Sequence, residues 1–234
     1  MTKAKVLIGC PTYDGKAYCL DRFLQSVKDF NFKNFEFVLV DNSKTEDYFN
    51  LLQRKGVNVI RGKDLGHPVK NVIVNRNILR DYFLEKDFDY FFSLEQDVIA
   101  PKDAVDKLID NKKDIISGVY YTVYRFKGEP GIRPLLWASV EGNTEAVRFM
   151  STEAKKPGLY RIKACGLGCL MIARKVLEDI KFRYVENSGV FDDIWFCQDA
   201  DKKRYEIWAD TSIQCDHDLD IKVKPAEKPK YLQF

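Results

Sequence analysis

Five apolar, strand-type runs punctuate the first half of the chain: "KVLIGC" (5–10), "FEFVLVD" (35–41), "VNVIRG" (57–62), "DYFFSLE" (89–95) and "DIISGVYY" (114–121). Segments with helical spacing lie between most of them. "AYCLDRFLQSVKDF" sets Leu20, Phe23, Leu24 and Val27 on one face, and "VKNVIVNRNILRDYFLEKD" groups Val72, Val74, Ile78, Leu79 and Phe83. Strands that are apolar almost throughout need cover on both faces, and the alternating helices supply it. The pattern therefore predicts an α/β fold: a mostly parallel, Rossmann-like central sheet flanked by helices, in a single domain.

In such a sheet the functional loops gather at the C-terminal ends of the strands. Cys10-Pro11-Thr12-Tyr13, Asp41-Asn42-Ser43 and Glu95-Gln96-Asp97 all stand at such ends, so three polar clusters should meet along one sheet edge. The second half is less regular. Residues 125–160, rich in Gly, Pro and charge, read as a surface excursion too short to hold a core of its own. "ACGLGCLMIARKVLEDI" then reads as a strand running into a helix. A helix opened by Asp192-Asp193 follows, then a strand "YEIWAD" and a polar end with His217. A basic, proline-bearing tail closes the chain.

Bulk composition removes several function classes. The net charge of +3 over 234 residues is small and its bases are scattered, which argues against a nucleic-acid partner. No apolar run approaches the ~18 residues of a transmembrane segment, and "MTKAKVLIGCPTY" reads as a first strand rather than a signal peptide. The six cysteines form no C-x-x-C pair and only two histidines are present, so a zinc knuckle is not expected. Buried free thiols in a reducing, cytoplasmic compartment is the reading adopted.

The stretch "DYFFSLEQDVIAP" (89–101) places two carboxylates, Glu95 and Asp97, two residues apart at the end of a strand. If extended, both face the same way and repel unless a positive charge sits beside them. A hard divalent cation such as Mn2+ or Mg2+ meets that need. A solvated Glu95 with Asp97 capping the helix near Pro101 meets it equally. His217, also just past a strand, could complete a cation site with Asp97.

The ordered set "VLIGCPTYDG", "FVLVDNSKTED", "VNRNILRD", "DYFFSLEQDVIAP", "GLGCLMIARKVLE" and "FDDIWFCQDADKKRYEIWADTSIQCDH" resembles a nucleotide-sugar-dependent glycosyltransferase of the GT-A fold, close to family two, over nearly the whole chain to about residue 217. The resemblance implies a donor-binding half (1–121), an acceptor-side half (122–217) and a basic tail (218–234) from which Lys222 and Lys224 could close over a diphosphate. It implies that Pro11, Thr12 and Tyr13 hold the base and ribose and that Asp41 accepts from the base. Arg76 and Asn77 correspond to an Arg-Asn pair beside the nucleotide. Glu95-Gln96-Asp97 corresponds to a D-x-D element, with Asp97 and His217 on the metal. Asp192-Asp193 corresponds to the acidic pair near the acceptor, Asp193 being favoured as base. The chain departs from the family pattern in carrying Glu95 for Asp, Asp-Asp for Glu-Asp, and "DNS" after the second strand.

The implied reaction moves a sugar from a UDP- or GDP-sugar to a hydroxyl of a carbohydrate, protein or lipid-linked acceptor, with inversion. Trp137 and Trp195 are candidate stacking platforms for the acceptor. Two other readings are a nucleotide-binding module without catalysis and a sugar-nucleotide pyrophosphorylase. The latter needs a Gly-rich basic loop where this chain has "GCPTYDGKAY", with a single Gly15-Lys16.

Overall fold

In the computed structural model, which describes residues 4–126, 129–139, 146–149, 151–186, 188 and 190–218, the first strand, β1 (Val6–Thr12), is buried along nearly its whole length. Val6, Ile8 and Cys10 face one half of the core and Leu7 the other, as the two-residue period of a strand requires. After a short 3-10 turn at Asp14–Cys19, helix α1 (Leu20–Lys28) leads to β2 (Phe35–Asp41), and α2 (Asp47–Arg54) to β3 (Asn58–Arg61). The long α3 (Pro68–Leu84) returns to β4 (Tyr90–Leu94), which is followed by the two-residue β5 (Val98–Ile99) and α4 (Ala104–Asp110). The second half holds β6 (Ile115–Val119), a hairpin of β7 (Tyr121–Phe126) and β8 (Glu129–Pro134), β9 (Leu136–Ser139) and β10 (Ala146–Arg148). Then come α5 (Ser151–Ala154), β11 (Leu159–Ile162), β12 (Ala164–Cys165), β13 (Cys169–Ala173), α6 (Arg174–Asp179), α7 (Asp192–Lys202), β14 (Ile207–Gln214) and β15 (Asp216–His217).

The central sheet runs β11-β14-β6-β13-β4-β1-β2-β3. Strands β1, β2, β3, β4, β6 and β14 point the same way, while β13 and the edge strand β11 run against them. The expected mostly parallel sheet is therefore what forms. Helices α1, α2 and α4 press Leu20, Phe23, Val27, Leu52 and Leu108 into the core on one face. Helices α3, α6 and α7 press Leu79, Phe83, Val176 and Phe196 into the core on the other.

Three expectations change. The inner face of α3 is Asn71, Ile73, Asn75, Arg76, Leu79 and Phe83, whereas Val72, Val74 and Ile78 are half-buried. Polar residues take the inward positions because Asn71 and Asn75 hold the backbone of the loop after β3 and Arg76 meets buried acids. The run 114–121 breaks after Val119, so β6 stays in the main sheet and β7 starts the hairpin. The excursion 125–160 is largely strand: β9 pairs with β10 and β12, and Leu136, Trp137, Phe149 and Ala154 join the main core. Trp137 is thus packed inside rather than offered to an acceptor. The six cysteines are buried and free. Among the described residues no helix is long and apolar enough to cross a membrane.

Strand β1 reaches both β2 and α3 because residue 9 has no side chain. A Cβ there would lie 2.5 Å from the Val38 carbonyl oxygen and 3.1 Å from Leu79 Cδ2. Since backbone cannot yield as a side chain can, Gly9→Ala is expected to destabilise the protein by on the order of 1–3 kcal/mol. Urea unfolding of the two proteins measures this, and equal midpoints would contradict it.

Candidate active site

Helix α3 starts with Pro68 in its first turn and His67 as its cap, the ring Nδ1 accepting from Lys70 N at 3.4 Å. His67 thus has a local structural task. One and two turns on, Asn71 and Asn75 pin the loop after β3 by accepting from Leu65 N (2.6 Å) and Lys63 N (2.7 Å). Next to Asn75 stands Arg76, 1% exposed. Its Nε donates to Asp192 Oδ2 (2.9 Å), Nη1 to Ser93 Oγ (2.8 Å) and Nη2 to Glu95 Oε1 (3.2 Å), with the Phe182 ring 5.6 Å away. One guanidinium joins α3, the end of β4 and the start of α7.

Asn77, its expected companion, turns elsewhere. Successive helix positions differ by about 100°, and Asn77 brackets Phe182 by donating to its carbonyl (2.8 Å) and accepting from its N–H (3.1 Å). Arg76 reaches the cavity and Asn77 does not.

The carboxylate pair is not extended. Strand β4 stops at Leu94, and Val98 N donates to Glu95 O (2.8 Å) to close a turn over 95–98. Gln96, between the acids, points inward and is clamped. It accepts from Thr12 Oγ1 (2.5 Å) and Tyr48 Oη (3.0 Å) and donates to the Lys16 carbonyl (2.6 Å). The two acids therefore take different cations: Glu95 meets Arg76, and Asp97 meets Lys16 Nζ and His217 Nε2. Asp97 caps no helix, since β5 comes first and α4 begins only at Ala104.

His217 arrives because β15 pairs with β5, setting His217 opposite Val98. Its Nδ1 lies 2.6 Å from the Tyr121 carbonyl, which can only accept, so Nδ1 carries a proton and Nε2 faces Asp97 Oδ2 at 3.3 Å. The Tyr120 ring meets the imidazole edge-on at 5.5 Å. Burial alone would lower the His217 pKa, but the Asp97 hydrogen bond raises it above the ordinary value. Burial would raise Asp97, yet the His217 hydrogen bond and the Lys16 charge hold it at about 2.

The second oxygen of Asp97, Oδ1, is buried without a hydrogen-bond partner. A lone carboxylate oxygen beside an imidazole whose Nδ1 proton is fixed on a carbonyl suits a divalent cation, because an ion that displaces the Nε2 proton shared with Asp97 finds that nitrogen already aimed at it. Among the described residues no three His, Cys, Asp or Glu side chains already gather around one point. Asp97 and His217 fit the ion as a two-residue protein contribution, with room for a ligand's oxygens.

That room is a cavity of about 430 Å³ at the C-terminal edge of the sheet. Pro11, Thr12, Tyr13 and Lys16 line it from the end of β1, Asn71, Val72 and Arg76 from α3, and Glu95, Gln96 and Asp97 from the turn. Asn42 also lines it, but Asp41 is set behind. Both Asp41 oxygens are taken, Oδ1 by Ser43 Oγ (2.5 Å) and Oδ2 by Arg61 Nη1 (2.5 Å). Arg61 and Tyr48 carry no motif that marks them in the sequence, whereas Gly15-Lys16 just after a strand is a signal that points to Lys16.

The acidic pair opens α7, where the helix dipole favours negative charge. Asp192 is buried against Arg76, which leaves Asp193 as the unpaired member; its Oδ1 accepts only from Ile194 N (2.7 Å) among the hydrogen bonds formed. Burial, with Asp192 beside it, pushes the Asp193 carboxyl up to about 7. Trp195, one turn into the helix, lies against the Arg183 guanidinium at 4.2 Å. Lys222 and Lys224 fall outside the described residues.

No protein-family model and no curated protein matches the chain. Solved structures do. The crystal structure of A197 from STIV is 20% identical with a TM-score of 0.52, over 92% of this chain and 86% of that one. The crystal structure of GalNAc-T7 with UDP, GalNAc and Mn2+ is 12% identical with a TM-score of 0.61, over 92% of this chain and 44% of that one. At such identities the likeness is one of fold: the chain has the GT-A-type architecture that its sequence led us to expect.

Two outcomes follow from the charges. Arg76→Ala would strand Asp192 and Glu95 without their cation, and a loss of about 3–5 kcal/mol is expected in denaturant unfolding; a cost under 1 kcal/mol would show that the guanidinium is not the brace described. Asp193 holds its proton more tightly folded than unfolded, so its contribution to stability falls as pH rises from about 4 to about 7 and stays lost above. Asp193→Asn should therefore be more stable than the parent by on the order of 2 kcal/mol at pH 8, with little difference at pH 4. A variant that is less stable at pH 8 contradicts this.

Proposed function

We propose that the protein transfers a sugar from a nucleoside-diphosphate donor to an acceptor hydroxyl with inversion, residues 1–121 binding the donor and 122–217 meeting the acceptor. The observation that carries this reading is Asp97 itself, with one oxygen held by His217 and Lys16 and the other buried without a partner. It stands in a cavity at the strand ends of a GT-A-type sheet, where open α/β sheets bind their ligands. The similar fold of GalNAc-T7, crystallised with UDP and Mn2+, supports the same class of donor.

In this proposal Pro11, Thr12 and Tyr13 flank the nucleoside, and Tyr13, 46% exposed, offers its ring at the cavity wall. Asp41 acts one step back, holding Ser43 and Arg61 so that the 41–43 corner keeps its shape. Asp97 and His217 would hold Mn2+ or Mg2+, with Glu95 placed by Arg76 to reach ribose or a bound water. When bound, the ion neutralises charge on the departing diphosphate. Asp193 accepts the acceptor proton, since Asp192 is committed to Arg76. A base with a pKa near 7 is largely ionised at physiological pH and still basic enough to take a proton from a hydroxyl as it attacks.

Calorimetric titration of UDP and of GDP, with Mn2+ and with EDTA, into the parent and Asp97→Ala tests the reading. Binding of one nucleotide that needs the metal and vanishes in the variant is expected. Failure of both nucleotides to bind a folded parent protein would end the transferase proposal. With the donor known, turnover should rise with pH through about 7 as Asp193 ionises, and Asp193→Asn should lower it about 10²–10⁴-fold. An Asp193→Asn enzyme with unaltered turnover would remove Asp193 from the role of base.

A further inference from the structure

The cavity holds two protein cations of very different freedom. Arg76 is 1% exposed and fixed by three hydrogen-bonding partners and a ring. Lys16 reaches Asp97 through a single ammonium contact, and its side chain is 29% exposed. Its backbone, by contrast, is pinned: Lys16 N donates to Tyr13 O (2.9 Å) and Lys16 O accepts from Gln96 Nε2 (2.6 Å). Only the four-carbon side chain is free to swing, and it lines the same cavity as Asp97, Glu95 and Arg76.

We propose that the Lys16 ammonium is the resident counter-ion of Asp97, that it competes with a divalent cation for that carboxylate, and that once displaced it pairs with the donor's diphosphate. The inference rests on the reading of the cavity as a sugar-nucleotide site. An ammonium on Oδ2 and a dication on Oδ1 of the same carboxylate repel each other, and partial burial weakens the screening that open water would give. Of the two side chains on Asp97 Oδ2, the His217 imidazole can turn to serve as a ligand of the ion whereas the Lys16 ammonium cannot, so Lys16 is the one that yields. With Asp97 taken by the ion, the nearest uncompensated negative charge is the diphosphate that the ion brings, and an ammonium is suited to meet it as a point charge. Metal and nucleotide would then help each other bind: the ion frees Lys16, and the nucleotide gives it a new partner.

The test titrates Mn2+ alone into the parent, Lys16→Met and Lys16→Arg, then UDP and GDP under saturating Mn2+. Lys16→Met should bind Mn2+ about tenfold more tightly and the nucleotide about tenfold more weakly, while Lys16→Arg stays within about twofold of the parent for the metal. Lys16→Gln, which removes the charge but keeps a hydrogen bond, should shift both in the same directions and covers the case in which the Met variant folds poorly. Loss of affinity for metal and nucleotide together would mark the ion pair as a structural brace and overturn the proposal. Unchanged Mn2+ affinity in the neutral variants, or no Mn2+ binding by any of the proteins, would overturn it too. If Mn2+ affinities shift as expected but neither nucleotide binds the parent, the competition stands, and both the diphosphate step and the transferase reading fall.

Discussion

The guanidinium of Arg76 is the charge around which the site is assembled. A buried cation is tolerable only when acids and dipoles replace its water, and here Asp192, Glu95 and Ser93 do so from three separate elements. That demand fixes the start of α7 against α3 and the end of β4 against both. It also sorts the acids. Asp192 and Glu95 are drawn to Arg76, and Asp193, one residue along the helix, forms no ion pair among the described residues. Its raised pKa is the direct result: burial and a charged neighbour disfavour its ionised form, and the available compensation has gone next door.

The same division of labour governs the turn 95–97. Two carboxylates so close in sequence would repel if they shared a face, and the turn avoids this by sending Gln96 inward between them. The amide clamps the turn to Thr12, Tyr48 and the Lys16 backbone, so each acid is aimed at its own cation. The result is a site with its charges paired, apart from one oxygen of Asp97 and the Asp193 carboxyl. Those two groups are where a cation and an exchangeable proton fit, and they belong to the two halves of the proposed reaction.

Much of this was legible because periodicity reports burial. The runs at 5–10, 35–41, 57–62 and 89–95 became strands within two residues at either end, and Leu20, Phe23, Leu24 and Val27 form the inner face of α1 as spaced. Periodicity misled on α3, where inward positions are polar because they bind a loop backbone and buried acids, and a pattern of apolar residues cannot register that. It failed again for residues 125–160, where β9 pairs with β10 and with β12, a partner distant in sequence, and Trp137 and Phe149 join the core. Asn77 shows a similar limit: a motif brings a residue to the right helix, but one position of rotation sends its amide to Phe182 instead of the cavity.

By itself, then, the sequence determined the layered α/β architecture and the edge of the sheet where polar residues would gather, because apolar spacing and strand direction are local properties that each segment carries alone. Which acid meets which cation was decided only by the tertiary structure. Lys16 and Asp97 are 81 residues apart and Arg76 and Asp192 are 116 apart, and His217 reaches Asp97 through the pairing of two two-residue strands. Charges act through space and through whatever water the fold has removed, so their partners, and the protonation states that follow, exist only once the chain has closed around them.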